Sequence, residues 1–193
     1  MKRQAKSSRE TLETSVTVEL DLDGEGTTET STGVPFLDHL LQQLGKHASL
    51  NLKVWGEGDL EVDAHHLLED VGIVLGQALK QGLGDRRGIT RYGHAIIPMD
   101  ECLVLAAVDL SGRGHLSLEA VWESERIGSF DPRLLTEFFR ALVFHAGFTL
   151  HLRELRGGNA HHLAEAFFKA FARALGMAMA PGGPGIPSTK GSL

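Results

Sequence analysis

AHHLLE at residues 64–69 recurs as AHHLAE at residues 160–165, and 96 positions separate the two copies. Ala78-Leu79 matches Ala174-Leu175 at the same separation. The recurrence of the same segments in the same order indicates a duplicated structural unit. We therefore expect the chain to contain two halves of similar fold.

A second set of identical residues extends the repeat upstream of these segments. Each member of this set has its counterpart 98 positions later: Leu37 and Leu135, Leu44 and Leu142, His47 and His145, Ala48 and Ala146, Leu52 and Leu150. At the same separation His39 corresponds to Glu137, and both side chains are potential metal ligands. One helix and the strand after it therefore align between the halves.

Hydrophobic periodicity predicts the elements of the first half. Apolar residues alternate where a half-buried strand is expected, and they recur at every fourth position where an amphipathic helix is expected. The predicted elements are strands over residues 16–22 and 50–54 and helices over residues 36–48 and 66–82. Gly56 and Gly58 predict a hairpin turn.

The second half repeats this order of strands and helices. Asp131-Pro132 has the pattern of a helix N-cap followed by proline at the first helical position, and Gly147 marks the end of that helix. The predicted elements are strands over residues 91–97, 101–110, 115–122 and 148–152 and helices over residues 131–146 and 160–179.

These elements predict an α+β fold of two tandem similar halves, each an antiparallel sheet with two helices packed on one face. Residues 10–90 form the first half, residues 91–180 form the second half, and residues 181–193 form a Pro/Gly-rich tail. The whole chain, residues 1–193, is expected to act as a single unit.

Composition restricts the class of protein. The chain is 42% hydrophobic, which is enough for a core, and its net charge of -6 argues against a nucleic-acid partner. We expect no membrane segment, since no apolar run approaches the roughly 18 residues of a span. The polar start MKRQAKSSRE and the single cysteine, Cys102, which we expect to be a buried thiol, favour the cytoplasm.

The repeated HHxxE pattern predicts two metal ions. On a helix, residues four apart share a face, so His65 lies beside Glu69 and His161 beside Glu165. The second histidine of each pattern is rotated by about 100° around the helix axis relative to the first, and would therefore reach another ion. The two ions could be shared between halves or between subunits.

His39 and Glu137, which align on the upstream helices, complete two groups of four potential ligands. One group contains His39, His65, Glu69 and His162, and the other contains Glu137, His66, His161 and Glu165. Imidazole and carboxylate ligands suit Mn, Fe, Zn, Co or Ni. The alternative interpretation, that paired histidines at a helix start are capping or solvated residues, is weakened because the pattern occurs twice in register.

Several basic or hydroxyl side chains are candidates for binding an anionic group. Guanidinium, ammonium and hydroxyl donors all suit phosphate. The candidates are Arg91 at the start of a strand, Arg113 in the turn SGRG, Lys169 on the last helix, and Ser188, Thr189 and Lys190 in the tail.

Seven motifs together resemble the imidazoleglycerol-phosphate dehydratase family. They are PFLDHLL, DAHHLLEDVG, RYGHAIIPMDE, VDLSGR, TLHL, NAHHLAEAFFKAFARAL and IPSTKG, in the family's order from about Arg9 to Leu193. The resemblance implies ferredoxin-like or ribosomal S5-like halves, two Mn ions per active site, and a homo-oligomer of 24 subunits with active sites between subunits.

The resemblance also implies roles for individual residues. The implied metal ligands are His39, His65, His66, Glu69, His161, His162 and Glu165. The implied substrate contacts are Glu13, His39, Arg91, Arg113, Lys169, Ser188, Thr189 and Lys190. One position departs from the family, since many relatives have a histidine ligand where this chain has Glu137; the repeat still favours Glu137 as a ligand.

The implied activity is that of a lyase in histidine biosynthesis, which dehydrates D-erythro-imidazole-glycerol phosphate to imidazole acetol phosphate. A metal-bound imidazolate would support loss of the hydroxyl group through a diazafulvene-like intermediate. Glu13 is the candidate general acid/base, and the six histidines and glutamates of the two HHxxE patterns complete the expected catalytic set. Two alternatives stay open at this point: a binuclear phosphate-ester hydrolase and a non-enzymatic cage stapled by metal ions.

Overall fold

The computed structural model describes residues 3–193. The first half contains four strands and two helices. In chain order they are β1 (Gln4–Glu10), β2 (Thr14–Asp21), β3 (Thr28–Ser31), α1 (Pro35–Ala48), β4 (Asn51–Gly58) and α2 (His65–Leu83).

The second half has the same sequence of elements. They are β5 (Tyr92–Met99), β6 (Cys102–Asp109), β7 (His115–Glu119), α3 (Leu135–Ala146), β8 (Thr149–Arg156) and α4 (Ala160–Met179). The strand order is β1-β2-β4-β3 in the first sheet and β5-β6-β8-β7 in the second. The predicted duplication is therefore confirmed in both the chain order and the sheet order.

Each sheet is mixed rather than wholly antiparallel. In the first sheet β2 pairs antiparallel with β1 and β4, whereas β3 runs parallel to β4. The second sheet repeats this arrangement, with β7 parallel to β8. A crossover through a helix makes the parallel pair possible, because α1 connects β3 to β4 and α3 connects β7 to β8.

The helices lie between the two sheets and join the halves. Helix α1 packs against α4, and α2 packs against α3, so each helix pair contains one member from each half. The apolar face of each helix is buried in one continuous core, to which Phe138, Phe139, Phe167, Phe168 and Phe171 contribute fully buried rings. The HHxxE motifs lie at the starts of α2 and α4. The helix pairing therefore decides which other side chains contact the motif histidines.

Gly56 and Gly58 lie within β4 and do not form the predicted hairpin turn. A Cβ atom on Gly56 would lie 3.1 Å from Leu67 Cδ1, and one on Gly58 would lie 3.1 Å from Leu67 Cβ. The glycines therefore make room for the start of α2 against the strand. Their role is close packing beneath the first HHxxE motif.

Two further sequence expectations concern Cys102 and membrane segments. Cys102 is buried, as predicted, and burial raises the pKa of its thiol to about 11. Among residues 3–193, none of the helices combines the length and the apolar character that crossing a bilayer requires.

Candidate active site

The contact between α1 and α4 brings together His39, His161 and Glu165. Glu165 Oε1 lies 3.1 Å from His39 Nε2 and 2.9 Å from His161 Nε2. His161 and Glu165 occupy positions four apart on α4, so the predicted sharing of one helix face is confirmed. The three side chains thus direct two ring nitrogens and a carboxylate oxygen to one point.

Glu165 is the most enclosed side chain of this group, with 9% of it exposed. Burial acts to raise the pKa of Glu165, but hydrogen bonds from Lys169, His39, Gln43 and His161 outweigh burial and hold that pKa at about 2. Lys169 Nζ donates to Oε2 at 2.7 Å. Glu165 is therefore ionised, and its Oε1 faces the two imidazoles.

The first HHxxE motif forms a second group at the start of α2. His66 Nδ1 lies 3.0 Å from Asp59 Oδ2 and 3.7 Å from Glu13 Oε2. The hydrogen bond with Asp59 raises the pKa of His66. On the neighbouring face of the helix, His65 Nε2 lies 3.8 Å from Glu69 Oε2, which is a looser form of the contact between His161 and Glu165.

His162 belongs to a third group, formed with the turn between β5 and β6. Its Nδ1 lies 3.1 Å from Glu101 Oε2 and 3.8 Å from Asp100 Oδ2. The Glu101 carboxylate also accepts a hydrogen bond from the backbone N–H of Asn159, the N-cap of α4, at 2.7 Å. Hydrogen bonds from its own N–H, from Asn159 and from His162 lower the pKa of Glu101 to about 2.

Glu137 lies in the first turn of α3, where its carboxylate pairs with Arg140. Within the described residues 3–193, Glu137 belongs to none of the three groups of potential ligands. His39 lies with His161 and Glu165 rather than with His65, Glu69 and His162. The four-ligand groups predicted from the repeat are thus not formed within one chain, and they stay a prediction for contacts between subunits.

The candidate anion-binding residues lie in two places. Arg91 donates to Asp109 Oδ1 at 2.7 Å and to the carbonyl oxygen of Pro187 at 2.8 Å, which holds the tail beside the start of β5. Leu193 lies against Gly112, next to the exposed Arg113. The segment with Ser188, Thr189 and Lys190 therefore runs between Arg91 and the SGRG turn. Lys169 lies elsewhere, beside Glu165.

Three contacting residues, Asp59, Glu101 and Gln43, were not predicted from the sequence. Asp59 lies in a connection that hydrophobic periodicity does not describe, and Glu101 was predicted to start a strand but lies in the turn before β6. Gln43 contacts His39 from one turn further along α1. Glu101 could have been found by aligning the starts of β2 and β6. Strands β2 and β6 begin at Thr14 and Cys102, and the residue before each of them is a glutamate.

The side chains fit a divalent transition metal. Histidines and carboxylates that could act as ligands converge in each of three groups within residues 3–193, and the ligand atoms of each group lie within 4.8 Å of one another. The ionised Glu165 and the imidazole nitrogens are ligands of the type that Mn, Fe and Zn accept. With these groups in equivalent helix starts of a duplicated α+β fold, the chain has the features of a metal-dependent enzyme.

Comparison with known proteins identifies the family within that class. The chain belongs to the imidazoleglycerol-phosphate dehydratase family, whose model matches residues 32–175. It is 55% identical over 195 residues to the imidazoleglycerol-phosphate dehydratase of Moorella thermoacetica and 56% identical over 196 residues to that of Acidiphilium cryptum, with each chain covered completely. Proteins of this family are hydro-lyases of histidine biosynthesis.

Solved structures of the family share the fold. The imidazoleglycerol-phosphate dehydratase of Staphylococcus aureus superposes with a TM-score of 0.81 at 41% identity, covering 91% of this chain and 99% of that one. The Pyrococcus furiosus protein superposes with a TM-score of 0.85 at 36% identity, covering 96% and 99%. The predicted family and the predicted two-half fold are both confirmed.

Proposed function

We propose that this chain dehydrates imidazoleglycerol phosphate to imidazole acetol phosphate at a site that holds two Mn ions. The observation that carries the proposal is the convergence of His39, His161 and Glu165 between helices from different halves. Glu165 is ionised there, and nitrogen and oxygen ligands of this kind suit Mn. Family membership supplies the reaction class and the small-molecule substrate.

The residues that would hold the ions are those of the two HHxxE motifs, together with one residue from each upstream helix. They are His39, His65, His66, Glu69, Glu137, His161, His162 and Glu165. When bound, divalent ions would supply Lewis-acid polarisation of the substrate's imidazole and hydroxyl groups.

Glu13 is the residue that we propose to move the proton. Its carboxylate lies at the turn between β1 and β2, 58% exposed and 3.7 Å from His66 Nδ1. This distance is too long for a hydrogen bond, so the carboxylate is free to approach a bound substrate. The hydrogen removed from the substrate carbon is weakly acidic, and a positioned carboxylate next to a histidine is suited to accept it.

The anion-binding residues support an active site built from more than one chain. Arg91 lies before β5, and Glu101, which contacts His162, lies after it; a strand of eight residues spans roughly 27 Å. The Arg91 N–H also bonds to Ala178 at the far end of α4 from His162. The substrate is a five-membered ring on a three-carbon chain and is much shorter than this. We call Arg91, Arg113, Ser188, Thr189 and Lys190 the Arg91 cluster. The Arg91 cluster of one chain would therefore serve His161 and His162 of another.

Exposed apolar side chains on the single chain support subunit association as well. Leu12 and Phe144 are largely exposed, as are Val62, Val121 and Tyr92. Large apolar groups in water favour burial against another subunit. We propose the assembly of 24 subunits that the resemblance implies, and a cytoplasmic location, which suits the single buried thiol.

A product assay tests the function directly. The assembled protein with Mn is mixed with imidazoleglycerol phosphate, and both a ketone product and inorganic phosphate are measured. We expect the ketone without phosphate release, loss of activity after chelation, and recovery when Mn is returned. Phosphate release would favour a phosphate-ester hydrolase. Bound Mn without turnover would favour a non-enzymatic assembly in which the ions only hold subunits together. Full activity after exhaustive chelation would contradict the metal-dependent mechanism.

A further inference from the structure

The second histidine of each HHxxE motif faces a carboxylate from a connecting segment of its own half. His66 Nδ1 lies 3.0 Å from Asp59 Oδ2, and His162 Nδ1 lies 3.1 Å from Glu101 Oε2. In both cases the same ring nitrogen is used. The Nε2 atom of each ring is thereby left for another partner.

The repeat places Glu101 where Glu13 lies in the first half, yet the two carboxylates are held differently. Glu101 contacts His162 and also accepts the N–H of Asn159, so two groups fix its orientation. Glu13 lies 3.7 Å from His66, because Asp59 already occupies the Nδ1 atom of that ring. Equivalent positions in the two halves therefore carry one glutamate that is fixed by hydrogen bonds and one that lies outside hydrogen-bond distance of its histidine.

We propose that Asp59 and Glu101 are positioning residues that prepare His66 and His162 for metal binding. Each carboxylate accepts a hydrogen bond from the Nδ1–H of its histidine, which selects one tautomer and leaves the Nε2 lone pair exposed. Metal-binding histidines commonly donate their other N–H to a carboxylate, which fixes the ring and makes it a better ligand. Because Asp59 performs this task in the first half, Glu13 stays free for proton transfer.

This inference rests on the proposed metal site, and the test separates the two. The dissociation constant for Mn is measured by competition with a metal indicator on the assembled wild-type protein and on variants. For Glu101→Ala and Asp59→Ala we expect that constant to rise roughly 10–100-fold, the usual effect of removing such a partner. Glu101→Gln should raise it less, because an amide oxygen still accepts the Nδ1–H but carries no charge.

Asp100→Asn is the matched control. Asp100 is adjacent to Glu101, is mostly exposed, and lies 3.8 Å from His162 Nδ1, beyond hydrogen-bond distance. Its substitution removes the same charge from the same turn but breaks no hydrogen bond to His162, and Asp100 is not one of the proposed Mn ligands, so we expect unchanged Mn affinity. An equal loss of affinity in Asp100→Asn and Glu101→Gln would show an effect of charge alone and would overturn the positioning role.

Thermal unfolding of the metal-free protein distinguishes positioning from a structural role. In Glu101→Gln the amide oxygen can still accept the N–H of Asn159, so the contact at the start of α4 is kept. We therefore expect the metal-free variant to unfold at the wild-type temperature while its Mn affinity falls. Wild-type affinity in both alanine variants would overturn the inference and leave the proposed function intact. A wild-type protein that bound no divalent ion would instead overturn the metal site itself.

Discussion

At the scale of single residues, Glu13 and Glu165 illustrate two uses of a carboxylate. Glu165 is enclosed and fixed by contacts with His39, His161 and Lys169. Glu13 is more than half exposed and lies outside hydrogen-bond distance of His66. A fixed, ionised carboxylate suits metal ligation, whereas a carboxylate that no hydrogen bond occupies can be positioned by the bound substrate to accept its proton.

Glu13→Gln should leave metal content and substrate binding near wild type but lower kcat by roughly 10²–10⁴-fold, because the amide keeps the shape and cannot exchange a proton. Steady-state kinetics and metal analysis measure both effects. Glu10→Gln, an exposed change on β1, is the control and should retain full turnover. Near-normal kcat in Glu13→Gln would remove Glu13 from the proton-transfer role.

Substitution of Glu137 tests whether this residue binds metal, as its counterpart His39 in the first half is proposed to do. Glu137→Gln should reduce Mn occupancy, because an amide oxygen is a poorer ligand than a carboxylate, and Glu137→His should be tolerated. Metal analysis of the purified protein measures occupancy. Glu119→Gln is a suitable control, since Glu119 is also paired with an arginine, Arg153, on the surface. Full occupancy and normal activity in Glu137→Gln would leave Glu137 as the surface partner of Arg140.

At the scale of elements, periodicity predicted the buried strands and all four helices but not β1 or β3. Strand β1, QAKSSRE, is polar and has only Ala5 against the core, and β3 is a four-residue polar edge strand, TETS. Their positions depend on pairing with β2 and β4, which is a long-range interaction without a local apolar signal. The parallel pairing of β3 with β4 and of β7 with β8 was missed because strand direction also depends on long-range pairing, although β7 itself was predicted.

The crossing of α2 and α3 depends on two glycines whose role the sequence pattern does not reveal. A Cβ atom on Gly72 would lie 2.5 Å from the Phe138 carbonyl oxygen, and one on Gly76 would lie 2.7 Å from that of Leu142. These distances are shorter than real Cβ contacts, so the helices approach backbone to backbone. The absence of a side chain at these positions lets the two halves pack closely.

Gly72→Ala should therefore destabilise the protein, although alanine favours helix. Overpacking of this kind costs about 1–3 kcal/mol, which outweighs the gain in helix propensity of roughly 1 kcal/mol. Thermal unfolding measures the change, with a lower Tm expected. Gly183→Ala in the tail is the control, because nothing lies within 4 Å of its added Cβ. An unchanged or higher Tm in Gly72→Ala would show that α2 and α3 can separate without cost.

The tail can be shortened at a point that keeps part of its contact with the rest of the chain. The Gly88 N–H bonds to the Gly185 carbonyl oxygen, so deletion from Ile186 onward keeps that contact and loses the one between Pro187 and Arg91. We expect intact folding and metal content but at least about tenfold weaker substrate binding, since one charge-assisted hydrogen bond contributes roughly 1.5–3 kcal/mol. KM measurements test this, and Gly183→Ala serves again as control. Unchanged KM would mean that the tail does not bind phosphate.

At the scale of the whole molecule, the sequence identified most candidate ligands but not their neighbours. The duplicated HHxxE motif marked six of them, and the aligned helices added His39 and Glu137. The grouping of His39 with His161 and Glu165 could not be predicted, because it depends on the packing of α1 against α4. Contacts between halves are set by tertiary packing, and the helical pattern alone fixes only which residues share a face.

The separation of the Arg91 cluster from His162 leads to a prediction about mixed assemblies. A chain lacking residues 186–193 keeps its histidines but has an incomplete cluster, whereas a His162→Asn chain keeps the cluster and loses a proposed ligand. If each active site takes the cluster from one chain and His162 from another, some sites of a mixed assembly are complete. Random mixing of equal amounts in a symmetric assembly makes about a quarter of the sites complete.

At substrate concentrations well below KM, the truncated chain alone should therefore keep at most about a tenth of wild-type activity and the His162→Asn chain almost none. Co-assembly from chelated, dissociated subunits with returned Mn should restore about a quarter of wild-type activity. The control is a chain carrying both changes, mixed with the His162→Asn chain, which should stay inactive because no chain then supplies an intact His162. Activity is measured per subunit after the size of the particle has been checked. If cluster and histidine acted within one chain, mixing would restore nothing, because every chain would lack one or the other.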